Sequence, residues 1–237
     1  MNLTIILITA RALLGRRRVL MLLPMPLVLV GITLIGVSSP VDGADWGPTV
    51  FGNLGLSVIL PLTALIVGSS VLGLEIDDGT ITHLLTKPLP RSEIVLSKLA
   101  VAWVVTTVAT GIPLVVAALI AGSNTLAMGL VVAAALGSLA YSALFLALSV
   151  LSKRPVAVGL VYIVLWENVL VSFVDGARVF SVREHATTVA DTIGNTSLLD
   201  SNVSLTTSLI MSAVFIVVGT VGATQRLRSF ALTGEAN

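Results

Sequence analysis

The 237-residue chain contains no cysteine and very little charge. The absence of cysteine excludes disulfides, thiolate metal sites and a cysteine nucleophile. Charged residues make up 11% of the chain, against roughly a quarter of an average soluble domain. Hydrophobic residues make up 56%, and the mean hydropathy is +1.06. A soluble fold of this length needs a polar exterior that this composition does not supply, so the chain is predicted to be a polytopic membrane protein.

Six apolar segments are long enough to cross a bilayer, which takes about 20 helical residues. We predict an all-α membrane protein that forms a single domain over residues 1–237, with spans at 19–37, 52–74, 94–121, 125–151, 156–174 and 207–223. Residues 2–15 form one apolar helical face, with Thr9 and Arg11 off it; the face consists of Leu3, Ile6, Ala10, Leu13 and Leu14. Three arginines follow, which is typical of an amphipathic helix on the membrane surface. The alternative is a frayed extension of the first span.

The segments between the spans differ in character. Residues 38–51 are rich in turn-forming residues and predict a loop, with Trp46 at the membrane interface. Ser92 is predicted to cap the third span, with Glu93 in its first turn. Residues 175–206 are polar but keep regularly placed apolar side chains, which predicts short external helices packed at the membrane surface.

The basic residues predict the orientation. Eleven of them fall on one side of the six predicted spans and two, Arg178 and Arg183, on the other. The positive-inside rule therefore places both termini and the loop between spans 2 and 3 in the cytoplasm.

Recognisable catalytic chemistry is scarce. The sequence has no Gly-x-x-x-x-Gly-Lys-Ser/Thr loop, so the chain does not bind and hydrolyse ATP by that cradle. His83 and His185 stand alone and are interpreted as ordinary loop histidines. The pair Asp77 and Asp78 is interpreted as a helix start, with acid–base groups or cation ligands as the alternative.

Glu167 is the one acidic residue well inside a predicted span, and Asn168 follows it. An ionisable group in hydrocarbon costs at least about 2.5–3.5 kcal/mol, so it should face another helix or a water-filled cavity. Two interpretations stay open. Glu167 and Asn168 either line a transport pathway or make interhelical hydrogen bonds.

The loop from Leu74 to Lys98, with the sequence LEIDDGTITHLLTKPLPRSEIVLSK, resembles the corresponding loop in the membrane subunits of type-2 ABC exporters. In that family the second span ends in an acidic residue and a Gly-Thr turn, followed by a leucine pair, a Pro/Arg segment and a lysine. The matching residues here are Glu75, Asp78, Gly79, Thr80, Leu84, Leu85, Pro88, Arg91 and Lys98. The wider pattern, a surface helix, six spans and an external segment before the last, also resembles that family.

The resemblance implies that residues 80–86 form a cytoplasmic coupling helix, which docks into a separate ATPase subunit. Independently, the spacing places Ile81, Leu84 and Leu85 on one helical face. Pro88 and Pro90 are predicted to end the helix. The resemblance further implies a complex of two ATPase subunits with two permease subunits, identical or different, surrounded by membrane lipid in a prokaryotic plasma membrane. ATP and magnesium would be bound by the ATPase; no cofactor, nucleic-acid partner or enzymatic activity is expected for this chain itself.

The expected function is therefore that of an ATP-driven exporter permease, with alternating access and a hydrophobic or amphiphilic cargo. An ion-driven secondary transporter is the first alternative, but it predicts half-sequence symmetry and more intramembrane acids than the chain has. A non-transporting membrane scaffold or immunity protein is the second.

Overall fold

The computed structural model describes residues 3–13, 24–77, 90–196, 198, 199, 201 and 203–234. Within these residues the chain forms eight helices and no strand. Their bounds are α1 Leu3–Leu13, α2 Pro24–Ser38, α3 Gly43–Asp77, α4 Arg91–Ile120, α5 Asn124–Leu151, α6 Pro155–Phe173, α7 Val182–Gly194 and α8 Leu205–Gly234. Two of them change geometry along their length: α3 is π-helical over Pro48–Ile59 and α6 over Tyr162–Leu170, and a 3-10 turn at Asp175–Phe180 joins α6 to α7.

Four of the described helices are long and apolar enough to cross a membrane: Gly43–Gly73, Arg91–Ile120, Asn124–Leu151 and Leu205–Ser229. Two shorter apolar helices, Pro24–Ser38 and Pro155–Leu170, accompany them. The prediction of a multi-pass all-α membrane protein is therefore confirmed. The predicted start of the first span, residues 19–23, lies outside the described residues.

The helices of the bundle meet at two ends, the Asn124 end and the Arg91 end. The Asn124 end holds the last residue of α4, the first of α5 and the last of α7. The Arg91 end holds the last residue of α3, the first of α4, the last of α5 and the first of α6. The tight turn at the Asn124 end is made by Gly122, whose φ of 78° favours glycine, and by Ser123, whose hydroxyl accepts from the N–H of Leu126 at 3.2 Å.

The long helix α5 lies at the centre of the bundle and packs against α3, α4, α7 and α8. Its small residues permit this close approach. A Cβ at Gly137 would meet the side chains of Leu60 and Ala186, and one at Gly219 of α8 would lie 2.7 Å from the carbonyl oxygen of Ala143. These two glycines therefore lie where α5 meets its neighbours.

The predicted loop over residues 38–51 is wrong in extent. Only residues 39–42 separate α2 from α3, because the Asp42 carboxylate accepts from the N–H of Ala44 and caps a helix that begins at Gly43. Pro48 falls inside this continuous helix, at the first position of its π-helical part. Trp46 is half-buried, and a Cβ at Gly36 of α2 would lie 2.9 Å from its ring.

Ser92 does not cap α4. The helix starts two residues earlier than that cap requires, at Arg91, and Pro90 takes the N-cap position with no side-chain hydrogen bond. Its carbonyl oxygen accepts from the N–H of Glu93 at 2.9 Å. Extended backbone at a proline followed directly by helix explains this start, since the missing N–H costs nothing there.

The buried face of α1 also differs from its prediction, at Ile5 and Thr9. Ile5, Thr9 and Leu13 are buried against α3 and α4, whereas Leu7 and Ile8 are exposed. Thr9 was predicted off the contact face, but it lies on it because its spacing from Ile5 and Leu13 is one helical turn each way.

The helix α7 lies alongside α5 instead of across its end. Gly194 packs on Leu126, the Ala190 carbonyl on Gly129, and Ala186 on Gly137. These contacts run antiparallel over eight residues of α7, from Gly194 back to Ala186, which is roughly 12 Å of helix. The external segment was predicted at the membrane surface, yet α7 reaches well along the length of the central helix because Gly129 and Gly137 leave room for it.

Candidate functional site

Most of the predicted coupling loop lies outside the described residues. Asp78, Gly79, Thr80, Ile81, Leu84, Leu85 and Pro88 all fall there, as does His83, and Glu75 is described only as part of helix α3. Arg91 is described as the half-buried first residue of α4. The coupling helix therefore stays a prediction.

The two helices that flank this loop are tied together by a buried lysine. Lys98 is fully buried in α4, and its Nζ donates to the carbonyl oxygen of Val71 in α3 at 2.8 Å. A buried ammonium group is costly unless it is hydrogen-bonded, and the bond to the Val71 carbonyl oxygen meets this requirement. It fixes the distance between α3 and α4 close to the Arg91 end, where both helices meet the loop.

Glu167 is the centre of a buried polar cluster. Its Oε1 accepts from the hydroxyl of Tyr141 at 3.1 Å and from that of Tyr162 at 2.9 Å. The Val182 N–H donates to the same oxygen at 3.1 Å, and the Ser181 hydroxyl donates to Oε2. Glu167 is fully buried, so the carboxylate is compensated by protein donors.

The cluster joins three parts of the fold. Tyr141 belongs to α5, and Glu167 and Tyr162 belong to α6. Ser181 is the residue directly before α7. The Ser181 hydroxyl also accepts from the N–H of Glu184 at 3.2 Å, so it caps α7 while it donates to Glu167. The arrangement fixes where α7 begins relative to the central helix.

Asn168 lies beside this cluster but bonds within its own helix. Its Nδ2 donates to the carbonyl oxygen of Ile163 at 2.8 Å, a five-residue spacing that matches the π-helical geometry. Sequence reasoning paired it with Glu167 but missed Tyr141, Tyr162 and Ser181. A signal was present, since the chain has only two tyrosines and both lie in apolar segments with a polar tip that needs a partner.

A polar cavity of about 290 Å³ lies between α3, the end of α6 and the start of α7. Its polar lining consists of Asn53, Ser57, Arg178, Arg183, Glu184 and Thr187. Asn53 is exposed, whereas Ser57 and Thr187 are buried, so the cavity opens at Asn53 and closes towards Ser57.

A second cavity of about 460 Å³ lies between the same two helices, α3 and α6, at the Arg91 end. It is lined by Ser69, Ser70 and Gly73 of α3 and by Arg154, Pro155 and Leu160 at the start of α6. Between the two cavities the helices touch: a Cβ at Gly159 would lie 2.3 Å from Cδ1 of Leu65. The seam between α3 and α6 thus has a cavity towards each end and a closed middle.

His185 is buried in α7, which corrects its interpretation as a loop histidine. Its Nε2 lies 3.0 Å from the carbonyl oxygen of Val179, and its ring centroid lies 6.3 Å from that of Phe215 in α8. Burial lowers the pKa of His185 below its ordinary value, against smaller opposing effects of the Val179 carbonyl and the Glu184 charge. His185 is therefore a packing residue between α7 and α8. Within the described ranges no three His, Asp or Glu side chains cluster to hold a metal ion.

The family follows from a comparison of the sequence. A family model described as ABC-2 family transporter protein matches residues 15–180, more than half of the chain. The chain belongs to this family. It is therefore an ABC transporter permease, a membrane transport subunit whose family implies an ABC ATPase as its partner, and the resemblance to type-2 ABC permeases is confirmed. The matched range of this ABC-2 family chain includes the loop 78–89 and Glu167. A search of the curated proteins found no matching relative.

Proposed function

We propose that this permease is the membrane-spanning half of an ATP-driven exporter for a hydrophobic or amphiphilic cargo. The observation that carries the proposal is the family match over residues 15–180, together with the absence of a phosphate-binding loop in the chain. A transport subunit of this family without its own ATP cradle needs a separate ATPase. Two permease subunits would enclose the pathway, and two ATPases would dock at the Arg91 end, which the excess of basic residues places in the cytoplasm.

The six-span topology is part of this proposal. The two shorter apolar helices, α2 and α6, would complete the four long ones. Six crossings bring both termini to the same side as the loop 78–89, in agreement with the distribution of Lys and Arg.

The seam between α3 and α6 supports alternating access. A pathway that opens to one side at a time needs cavities at both ends and a closure between them, and the contact of Gly159 with Leu65 supplies such a closure. The helix α3 leads directly into the proposed coupling loop, so a push on that loop would move one wall of the seam. The two π-helical segments lie on these same helices, and such segments are frequent at functional sites.

Two interpretations of Glu167 were open: it lines a transport pathway, or it makes interhelical hydrogen bonds. Its four hydrogen bonds and complete burial favour an interhelical role over contact with cargo. Asn168, bonded within α6, is proposed to hold the π-helical segment in shape.

Co-purification tests the proposal. A tagged full-length chain, expressed with the rest of its operon or gene neighbourhood, should capture an ATPase that carries a Walker sequence. Leu84→Asp, on the predicted contact face, should abolish this capture because it places a charge in an apolar contact. Thr82→Asp, on the same predicted helix but off that face, is the matched control and should retain capture.

Two results would contradict the proposal. One is a chain that captures no nucleotide-binding protein under any condition. The other is transport that survives ATP depletion and stops when the ion gradient is removed, which is the behaviour of a secondary transporter.

A further inference from the structure

The cavity of about 460 Å³ between α3 and α6 at the Arg91 end has one guanidinium group at the edge of an otherwise apolar space. Its described lining includes Gly73 of α3 and Ala157 and Leu160 of α6, and Arg154 is the one charged side chain in that lining. Arg154 is exposed, and its side chain makes no hydrogen bond or ion pair within the described part of the chain. The Arg154 guanidinium is therefore available to a ligand in this cavity.

The two serines of the lining offer no competing donor. The Ser69 hydroxyl donates to the carbonyl oxygen of Leu65, and the Ser70 hydroxyl donates to that of Ile66. Both protons are thus used within helix α3, and hydroxyls bonded in this way need no donor or acceptor from outside the helix. Apart from the Arg154 guanidinium, the described walls of the cavity behave as apolar surface.

The cavity extends from the end of the bundle along the flank of α6. Arg154 lies in the turn between α5 and α6, on the side that the excess of Lys and Arg predicts to be cytoplasmic. Leu160 lies six residues further along the chain, about 9 Å of helix. Val156 and Leu160 are 47% and 40% exposed, so the cavity opens sideways at the surface of the bundle. Beyond it the seam closes, where Gly159 packs on Leu65.

A cation at the cytoplasmic surface of the membrane, followed by an apolar slot towards the hydrocarbon, complements an anionic phospholipid. A guanidinium group binds phosphate oxygens through paired N–H donors. Basic side chains at the cytoplasmic surface also attract anionic head groups. A small polar solute would leave the apolar walls in contact with water, and a purely apolar molecule would leave Arg154 without a ligand. Only a molecule with both parts uses the whole cavity.

We propose that this cavity holds one anionic phospholipid of the cytoplasmic leaflet. Arg154 binds the phosphate group, and one acyl chain lies against Ala157 and Leu160 between α3 and α6. The lipid keeps these two helices apart at the Arg91 end, up to the point where the seam closes. The site is additional to the proposed export function and does not depend on the ATPase.

Native mass spectrometry of the purified full-length chain in dodecyl maltoside tests the proposal by counting bound lipids. In a titration, one phosphatidylglycerol per chain should bind at lower concentration than phosphatidylcholine does. Arg154→Gln should weaken phosphatidylglycerol binding at least about fivefold and remove its preference over phosphatidylcholine. Lys153→Gln is the matched control, because Lys153 is exposed and adjacent in sequence but is not among the described lining residues. It should bind phosphatidylglycerol as the unchanged chain does.

Two further measurements test the place of the acyl chain. Ala157→Phe adds an aromatic ring to the apolar wall, so it should weaken the binding of both lipids by occupying the space of the chain. Glycerol 1-phosphate, which is the phosphate head without acyl chains, should not displace phosphatidylglycerol. Displacement by glycerol 1-phosphate, or unchanged lipid binding by Ala157→Phe, would contradict a chain seated in the cavity and overturn the proposal.

Equal phosphatidylglycerol binding by the unchanged chain and Arg154→Gln would overturn the proposal. Equal losses in Arg154→Gln and Lys153→Gln would overturn it as well, because they would show attraction to surface charge in general. Both side chains are exposed, so this pair of variants decides the question even if Ala157→Phe fails to fold. Release of the lipid when two chains associate would assign the cavity to a second copy and also overturn the proposal.

No ATPase or ATP is present in this assay, so its outcome is independent of the co-purification experiment. A chain that binds phosphatidylglycerol through Arg154 but captures no ATPase would refute the exporter and leave the lipid site standing. The reverse result would refute the lipid site alone.

Discussion

Replacement of Glu167 by alanine should loosen α7 from the central bundle. Glu167→Ala removes the acceptor of four hydrogen bonds, three of them from fully buried donors: the hydroxyls of Tyr141 and Ser181 and the N–H of Val182. Interhelical hydrogen bonds in membrane proteins contribute about 0.6 kcal/mol each on average. An abandoned buried donor costs about 1–3 kcal/mol. The four lost hydrogen bonds alone therefore imply a loss of about 2 kcal/mol. The three buried donors left without an acceptor raise it to about 3–9 kcal/mol.

Glu167→Gln should cost less. It keeps one carbonyl oxygen as an acceptor but replaces Oε2 by an amide group, so the Ser181 hydroxyl must turn and accept instead of donating. The expected order of stability is the unchanged chain, then Glu167→Gln, then Glu167→Ala. Asp45→Asn and Asp45→Ala are the matched controls, because Asp45 is an exposed acid in the first turn of α3 and should be replaceable without effect.

Thermal unfolding in detergent measures the loss, which at roughly 2–4 °C per kcal/mol amounts to at least about 4 °C for Glu167→Ala. Hydrogen exchange supplies the local readout: protection of residues 181–187 should fall, while protection of α4 stays the same. The reasoning is refuted if Glu167→Ala unfolds within 1 °C or so of the Asp45 controls and α7 keeps its protection.

Three further predictions concern other contacts of the bundle. Gly129→Ala would place its methyl group 2.4 Å from the carbonyl oxygen of Ala190, and the resulting shift of α7 should cost about 1–3 kcal/mol in thermal unfolding. The pKa of His185 is lowered in the folded chain, so the unfolded chain binds a proton there at higher pH than the folded chain does. The free energy of unfolding should therefore be constant above about pH 7 and fall as the pH drops below about 6.5. His185→Gln should remove this dependence. Lys98→Ala should cost about 2–4 kcal/mol through its lost packing, with faster hydrogen exchange in the first turns of α4.

Each of these has a control in the same chain. Gly31→Ala has nothing within 4 Å of the added carbon and should be neutral or slightly stabilising, since alanine favours helix over glycine. Lys153→Ala removes an exposed lysine and should leave exchange unchanged. A Gly129→Ala variant as stable as Gly31→Ala, or an acid-induced loss of stability that persists in His185→Gln, would contradict the corresponding contact.

The fold class and most helices could be predicted because the bounds of a long apolar segment can be read directly from the sequence. The ends of α5 and α6 lie within one residue of their predictions for this reason. The start of α3 was missed because residues 43–51 are rich in glycine and proline, which favour turns on their own, yet Asp42 caps a helix there and Trp46 packs into α2. Such a tertiary contact overrides a local preference.

The candidate site was predicted in part. Glu167 stood out because it is an acid in an apolar segment, but its partners come from three separate stretches of chain, and sequence spacing carries no information on those distances. In the sequence, Arg178 and Arg183 of the polar cavity stood out only as the two basic residues on the side of the predicted spans opposite the other eleven. Their convergence depends on the depth of α7 beside α5, which Gly129 and Gly137 permit and which composition alone does not indicate.

The central claim, that the loop 78–89 couples this permease to a separate ATPase, is most directly tested by cross-linking. The chain has no cysteine, so one introduced cysteine is the only thiol it carries. Leu84→Cys, treated with a thiol-reactive photo-cross-linker in native membranes, should form an adduct with a Walker-containing ATPase. Ala44→Cys at the Asn124 end should form none. An adduct from Ala44→Cys, or none from Leu84→Cys when the ATPase is present in the membrane, would contradict the account.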